Sequence, residues 1–205
     1  MSNVLTCHKL PYIFTAAVIA IVLLWWQPAY ALPNKFSFQS AQVVPVFDDE
    51  YRYTFEQLVA HATDSIDLAI YLFKTDSDYR NSAAMLQESL ILAAKRGVNV
   101  RVLFDLPDDP ESFLYRSNLD TAKGLYFFGI DSYFDSAARM HSKMLVVDNR
   151  WTLMGSHNYT VSAMRYNRET SVLIDSETFA AESRQWISEL VDTSASLEEI
   201  LVLQR

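Results

Sequence analysis

The sequence is short of cysteine and of basic residues, and both shortages narrow what the protein can be. Its one cysteine, Cys7, stands ahead of the first apolar run, which excludes a disulfide framework or a cysteine-based metal site in the rest of the chain. Lys and Arg number 17 against 25 Asp and Glu, a net charge of -8, which is the wrong sign for a protein that coats nucleic acid non-specifically. No low-complexity tract is present. Half of the 205 residues are hydrophobic, enough for one domain with a full core plus a short extension.

An apolar run near the start of the chain predicts export. It extends from Leu10 to Trp26, and small residues before the cut favour a signal-peptidase site after Ala31. The run is long for a signal peptide and just short of a membrane span, so an uncleaved inner-membrane anchor stays open as the alternative. In both cases the folded part is expected outside the cytoplasm, in the periplasm, secreted, or held at the membrane by the apolar segment.

The remainder alternates between strand and helix signals. We divide the chain into a leader (1–31), a linker (32–40), a catalytic domain (41–192) and a tail of unknown role (193–205). Strands are predicted over residues 41–47, 66–73, 98–104, 130–134 and 169–175, and helices over 53–62, 82–96, 117–128, 159–165 and 178–191. In the last helix, Phe179, Trp186, Ile187 and Leu190 are expected to face inward. The alternation predicts an α/β fold with a mixed, largely parallel sheet flanked by helices.

Polar residues at fixed offsets surround two short apolar runs between residues 141 and 158, in the segment HSKMLVVDNRWTLMGSHN. Met144–Val147 and Trp151–Met154 read as neighbouring strands joined by a turn. The hairpin would bring the start of one strand and the end of the next to the same end of a sheet. The six polar or small positions of the pattern are His141, Lys143, Asp148, Gly155, Ser156 and Asn158.

Positive charge is concentrated around the same segment. Residues 139–168 hold five cations and one anion, a net +4, so the rest of the chain carries -12. Such a cluster on its own is often a solvated face. Together with the polar pattern it favours an anionic substrate.

The side chains of this segment suit the chemistry of a phosphodiester. A neutral imidazole can attack phosphorus and divide one hard displacement into two easier ones. An ammonium, a hydroxyl and an amide can stabilise the charge that develops on the phosphoryl oxygens. The leaving oxygen needs a proton from a second imidazole, and the chain supplies only one histidine of the right kind, His141.

The pattern resembles the motif of the phospholipase D superfamily, and a single copy behind a leader resembles the short secreted bacterial endonucleases within it. The resemblance covers about residues 42–186. It implies a homodimer, because two motif copies meet in the family's active site, and it implies no metal or cofactor. His141 would then be the nucleophile in one subunit and the general acid in the other.

The resemblance also assigns roles to the other positions. Lys143 and Asn158 would hold the phosphate, Ser156 would support it through hydrogen bonds, and Gly155 would allow close backbone approach. Glu169 would accept a hydrogen bond from the second nitrogen of the nucleophile and fix its tautomer.

Two further motif residues are expected to act indirectly or not at all. Asp148 matches the family's aspartate and is grouped with the catalytic residues His141, Lys143, Asn158 and Glu169 on that resemblance, although its position at the turn indicates a structural or orienting role. His157 could line the cleft, but packing is the favoured interpretation.

The function inferred from these residues is phosphodiester hydrolysis, with nucleic acid and phospholipid both open as substrates. Aromatic residues between 113 and 134 could stack on bases or enter lipid, although core and cleft wall are favoured. The alternative is a membrane-anchored module that binds anionic nucleic acid or lipid without turnover. A metal-dependent phosphatase is set aside, since only His141 and Glu169 could serve as ligands near the motif.

Overall fold

Eight strands form one open sheet in the computed structural model, which describes residues 38–75 and 82–203. The predicted leader and most of the predicted linker lie outside the described residues. The strands are β1 Gln42–Phe47, β2 Ser65–Ile70, β3 Asn99–Asp105, β4 Asp131–Asp135, β5 Lys143–Val147, β6 Trp151–Gly155, β7 Thr170–Asp175 and β8 Ala195–Ser196. The helices are α1 Glu50–His61, α2 Ser82–Lys95, α3 Phe113–Tyr126, α4 Val161–Arg165, α5 Glu177–Val191 and α6 Leu197–Leu203.

The sheet has the order β1-β7-β6-β5-β2-β3-β4-β8. The predicted mixed α/β class is confirmed, but the prediction of a largely parallel sheet is wrong. Only the pairs β2–β3 and β3–β4 are parallel, and the other five pairs are antiparallel. A helical crossover joins the strands of each of these two parallel pairs, whereas a tight turn joins β5 to β6 and forces an antiparallel pair. Pro45 is tolerated because β1 lies at the edge.

Helices cover both faces of the sheet, and two apolar clusters form the core. The larger cluster joins α1, α2, α3 and α6 to one face, where Leu68, Val102 and Leu145 point. The smaller cluster joins α5 to the other face through Ala69, Leu103 and Val146. The alternation of Leu68 with Ala69 follows the two-residue period of a strand, so β2 is buried on both sides.

Helix α3 begins at Phe113, four residues before the predicted start at Ser117. The Ser112 side chain accepts a hydrogen bond from the backbone N–H of Tyr115 at 3.2 Å, which makes Ser112 the N-cap. Phe113 and Tyr115, which precede the predicted start, are therefore helical. The helix stops as predicted before Gly129, whose φ of 73° is readily adopted only by glycine.

Helix α5 places its bulky aromatic residue outward, against prediction. Trp186 is 40% exposed, and the buried face consists of Ala180, Ser183, Ile187 and Val191. Small side chains at two of these four positions bring the helix close to the sheet, which leaves no room for an indole. Of the other residues expected inward, Ile187 is buried and Phe179 and Leu190 are half-buried.

Residues 195–203, which we assigned to a tail of unknown role, belong to the sheet and its core. Strand β8 pairs with β4, and Leu197 and Ile200 of α6 are buried in the larger cluster. Among the helices of residues 38–75 and 82–203, none is long and apolar enough to cross a membrane.

Candidate active site

The motif occupies the β5–β6 hairpin, as the sequence predicts. The pairing of Met144 with Met154 brings the start of β5 and the end of β6 to the same end of the sheet, which we call the active-site end. Strand β2 runs antiparallel to β5 and ends at Ile70, opposite Lys143. The carboxyl ends of the parallel strands β2, β3 and β4 therefore lie at this end of the sheet as well.

His141 and Lys143 are in direct contact at this end of the sheet. The Lys143 Nζ lies 3.1 Å from His141 Nδ1 and donates a hydrogen bond to the His141 carbonyl oxygen at 2.9 Å. Tyr71, the residue after β2, supports both side chains. Its ring centroid lies 4.3 Å from the imidazole centroid and 4.9 Å from Lys143 Nζ. Lys143 is 5% exposed, while His141 is open to solvent.

The surroundings keep the His141 imidazole neutral. Partial desolvation lowers its pKa, and the positive charges of Lys143 and Arg139 lower it further. Burial lowers the pKa of Lys143, while the charges of Glu169 and Asp105 act in the opposite direction. An exposed neutral imidazole beside a buried ammonium can attack an electrophile whose negative charge the ammonium balances.

Glu169 lies near the motif, but its partner differs from our prediction. Ser156 Oγ donates a short hydrogen bond to Glu169 Oε2, and Asn167 Nδ2 donates to Oε1 at 2.9 Å. The predicted bond from His141 is absent among the described residues. Ser156 Oγ also accepts from the Thr170 N–H at 3.0 Å. The hydroxyl expected to support the phosphate is thus occupied with the start of β7.

Gly155 has a packing role rather than the predicted approach to a ligand. A Cβ atom at this position would collide with the backbone of Thr170 and Ser171 in the neighbouring strand. The close approach is therefore between β6 and β7. Beyond Gly155, Asn158 is half-buried, and its Oδ1 atom is buried without a hydrogen-bond partner within the described ranges. Such an atom is expected to have a partner or a function.

Asp148 lies at the opposite end of the hairpin from the other motif residues. Strand β5 separates it from Lys143 by about 16 Å, at roughly 3.3 Å per residue. Its carboxylate accepts hydrogen bonds from the backbone N–H groups of Thr63, Asp64 and Ser65, at 2.8–3.2 Å. Grouping Asp148 with the catalytic residues is therefore wrong, and its contacts are those of a structural residue.

Sequence reasoning missed three residues that support the site. Tyr71 contacts His141 and Lys143, as described above. Asp105 is buried at the end of β3, where its Oδ1 accepts from the Met140 N–H at 2.7 Å and so holds the segment before His141. Asp48 Oδ1 accepts from the Glu169 N–H at 2.9 Å. The available signal was that Asp105 directly follows a predicted strand and that Tyr71 lies among the last three residues of another.

No second imidazole of the described residues is placed to act with His141. His157 is fully buried, with its ring stacked on Tyr51 at 4.2 Å and its Nδ1 2.7 Å from Ser171 Oγ. This agrees with the packing role favoured from the sequence. His61 ends α1 near Asp148, at the opposite end of the sheet. Over residues 38–75 and 82–203, no group of three or more His, Cys, Asp or Glu side chains could hold a metal ion.

An α/β fold whose mixed sheet presents His141, Lys143 and Asn158 near one end defines a domain of the phospholipase D type. The chain matches the family described as "Cardiolipin synthase, PLD-like domain" over residues 55–191, more than half of its length. It belongs to that family, as the motif predicted.

Individual proteins agree with this assignment. The chain is 28% identical over 134 residues to a phospholipase D of Rickettsia conorii, an alignment that covers 64% of the chain and 62% of the relative. It is 29% identical over 161 residues to cardiolipin synthase 1 of Staphylococcus epidermidis, covering 78% of the chain and 31% of that protein. The chain thus spans less than two thirds of the length of these curated relatives.

A solved structure shares the fold. Nuc, a phospholipase D family member from Salmonella typhimurium, superimposes with a TM-score of 0.65 at 22% sequence identity. The match covers 77% of the chain and 98% of Nuc. At this identity the likeness supports the fold alone.

Proposed function

We propose that the protein is a phosphodiesterase that hydrolyses a phosphodiester bond through a phosphohistidine on His141. The observation that carries the proposal is the contact between an exposed imidazole of lowered pKa and the buried ammonium of Lys143. The names of the relatives, phospholipase D and cardiolipin synthase, agree with chemistry at a phosphodiester.

In the first step, a bare nitrogen of His141 forms a bond to phosphorus as the P–O bond to the leaving alcohol breaks. Lys143 balances the charge on the non-bridging oxygens. In the second step, water attacks the phosphohistidine, the N–P bond breaks, and a phosphomonoester leaves. The leaving oxygen requires a proton in the first step, and the attacking water loses one in the second.

We propose that His141 of the partner subunit supplies and recovers this proton in a homodimer. The support for this step is that His61 and His157, the other histidines of the described residues, are both placed away from His141. Two identical imidazoles related by a twofold axis could divide the roles of nucleophile and acid between them.

Hydrolysis of bis-p-nitrophenyl phosphate in excess chelator tests the proposal. We expect turnover by the wild type, loss of turnover in His141→Ala, and retention in His61→Ala as the matched control. A labelled phosphodiester, quenched during turnover, should leave label on the wild type and none on His141→Ala. Absence of turnover in a verified dimer would contradict the proposal.

A binding module without turnover is the second candidate, and the orphaned Oδ1 of Asn158 is compatible with it because that atom needs only a binding partner. Such a module would bind anionic nucleic acid or lipid, held at a membrane by the N-terminal apolar segment. It predicts saturable binding of a phosphodiester by both the wild type and His141→Ala, with no product from either.

We also propose that the protein acts outside the cytoplasm, in a periplasm or after secretion, or anchored to the inner membrane. The support is the apolar run from Leu10 to Trp26, which lies outside the described residues. Mass spectrometry of the protein from fractionated cells tests this. Cleavage predicts a mature chain that begins at Leu32, and anchoring predicts the intact chain in the membrane fraction.

A further inference from the structure

Two concave surfaces adjoin one another beside the candidate active site. The first, of about 290 Å³, is lined by Tyr71, Asp105 and Arg139, so it borders the His141–Lys143 pair. The second, of about 350 Å³, is lined by Tyr115 and Ile200, further toward α6. Both include Leu106, Pro107, Asp108 and Ser136 in their lining. Together they form a continuous path, which we call the side groove, from Tyr71 to the end of α6.

The far part of the side groove is apolar. Its lining includes Leu106, Pro107, Pro110, Tyr115, Ile200 and Leu203. Leu203 ends the described part of α6 and is 82% exposed. Exposed apolar surface that rims a groove is typical of a binding site for an apolar group, because the ligand removes that surface from water.

The charge of the side groove disfavours a polyanionic chain as its occupant. Two carboxylates, Asp105 and Asp108, line the side groove, and its one cation, Arg139, lies at the end that borders His141. A phosphate backbone laid along the side groove would meet like charges. An uncharged hydrocarbon chain would meet the apolar lining without that repulsion.

The opposite flank of the site has a different character. Arg165, the last residue of α4, and Arg168 line a concavity of about 340 Å³ together with Asp48 and Asp49, and Arg168 pairs with Asp48 at 2.8 Å. The order of the sheet places β7 and β3 on opposite sides of the β5–β2 pair that bears Lys143 and Tyr71. The active-site end of the sheet therefore has a concavity lined by charged side chains of both signs on one flank and the side groove on the other.

We propose that the side groove is the subsite for the hydrocarbon chain of a lipid phosphodiester. This inference rests on the proposed function, because the phosphorus must lie at His141 for the chain to reach Leu203. Each methylene group buried in the groove should raise kcat/KM by up to about fourfold, the factor that corresponds to burying one methylene. The gain should end when the chain extends past Leu203.

A series of p-nitrophenyl alkyl phosphates with ethyl, butyl, hexyl and octyl chains, assayed below their micelle concentrations, tests the subsite. For the wild type, we expect kcat/KM to rise with chain length. In Leu203→Ser the rise should flatten for hexyl and octyl, while the ethyl ester, too short to reach Leu203, is hydrolysed as by the wild type. Val202→Ser is the matched control, since Val202 is 66% exposed on the same helix but does not line the groove.

The outcomes separate the subsite from the proposed function. Failure to hydrolyse any ester of the series, the ethyl ester included, contradicts the proposed function itself. Hydrolysis with no dependence on chain length, or the same flattening in Val202→Ser, overturns the subsite alone. An equal loss of single-stranded DNA cleavage in Leu203→Ser would assign the groove to nucleobases. Weaker dimerisation of Leu203→Ser in sedimentation would assign it to a second copy of the chain, and both results overturn the proposal.

Discussion

At the scale of single residues, the pKa of His141 is lowered by partial burial and by two cations that lie close to it. Lys143 and Arg139 each lie two residues from His141 along the chain, and the hydrogen bond from the Met140 N–H to Asp105 holds the segment that joins Arg139 to His141. The positive charges of both residues disfavour the imidazolium. The His141 imidazole is therefore neutral over a wider pH range than that of a free histidine.

We expect Arg139→Ala to move the acidic limb of the kcat/KM profile to higher pH. The limb reports protonation of the essential imidazole, and in the wild type it should lie below the ordinary histidine value because the pKa of His141 is lowered. Loss of the Arg139 charge raises that pKa. The shift should shrink in high salt, which screens an exposed charge.

Arg150→Ala is the control for this shift. Arg150 is also exposed, but it pairs with Asp175 at the turn end of the hairpin, 2.7 Å from the carboxylate. The Arg150→Ala substitution should leave the acidic limb of the kcat/KM profile in place. An equal movement in both variants would show that overall charge, rather than the position of Arg139, controls the imidazole.

At the scale of elements, the hairpin could be predicted from the sequence because its information is local. Two apolar runs and the Asp148-Asn149 turn specify an antiparallel pair, and both turn residues have positive φ, near 50°. That pairing alone determines at which end of the sheet His141 and Lys143 lie. The same reasoning correctly placed Asp148 at the turn.

The partner of Glu169 could not be predicted in the same way. Ser156 and Glu169 meet because β6 and β7 approach closely at Gly155, and the backbone of Glu169 is held by Asp48 from the other end of the chain. The outward position of Trp186 also depends on tertiary packing, because helical spacing alone does not decide whether an aromatic residue lies on the buried or the exposed face. Contacts between distant segments leave no local pattern in one sequence.

We expect Asp148→Ala to lower the free energy of unfolding by about 2 kcal/mol, the usual loss for hydrogen bonds to a charged group. The variant leaves the N–H groups of Thr63, Asp64 and Ser65 without their acceptor. Hydrolysis of bis-p-nitrophenyl phosphate should be unchanged, because Asp148 lies at the far end of β5. Urea unfolding and initial rates measure the two effects, and a large loss of kcat in a stably folded variant would return Asp148 to the catalytic group.

The contribution of Asp148 should also depend on pH. Burial raises its pKa, but hydrogen bonds from Asp64, Thr63 and Ser65 outweigh burial, so its pKa in the folded protein is below the ordinary value. A lowered pKa stabilises the fold above the unfolded-state value and loses that effect as pH falls through the folded-state value. The stability difference between wild type and Asp148→Ala should therefore be constant near neutrality and shrink in strong acid.

Gly155→Ala should destabilise the fold by about 1–3 kcal/mol, the usual cost of overpacking. The new methyl group would collide with the backbone of Thr170 and Ser171, which cannot move without opening the β6–β7 pair. Gly124→Ala is the control. There the methyl group meets the end of the flexible Gln87 side chain, and alanine favours a helix, so stability should hold or rise. Equal losses in thermal unfolding would contradict the assigned packing role of Gly155.

At the scale of the whole molecule, the described residues place one imidazole, His141, at the candidate site, whereas the proposed reaction needs a nucleophile and a separate proton donor. A homodimer with one shared site predicts a specific result when subunits are mixed. Wild type and His141→Ala, combined in equal amounts and allowed to exchange, should give about half the activity of the wild type alone, because heterodimers lack one of the two imidazoles. A mixture with His61→Ala controls for the exchange procedure and should lose nothing. If each wild-type subunit carries a complete site, the mixture with His141→Ala will keep full activity per wild-type chain. Sedimentation at the assay concentration must show dimers in both mixtures, and an active wild-type monomer there would contradict the shared site directly.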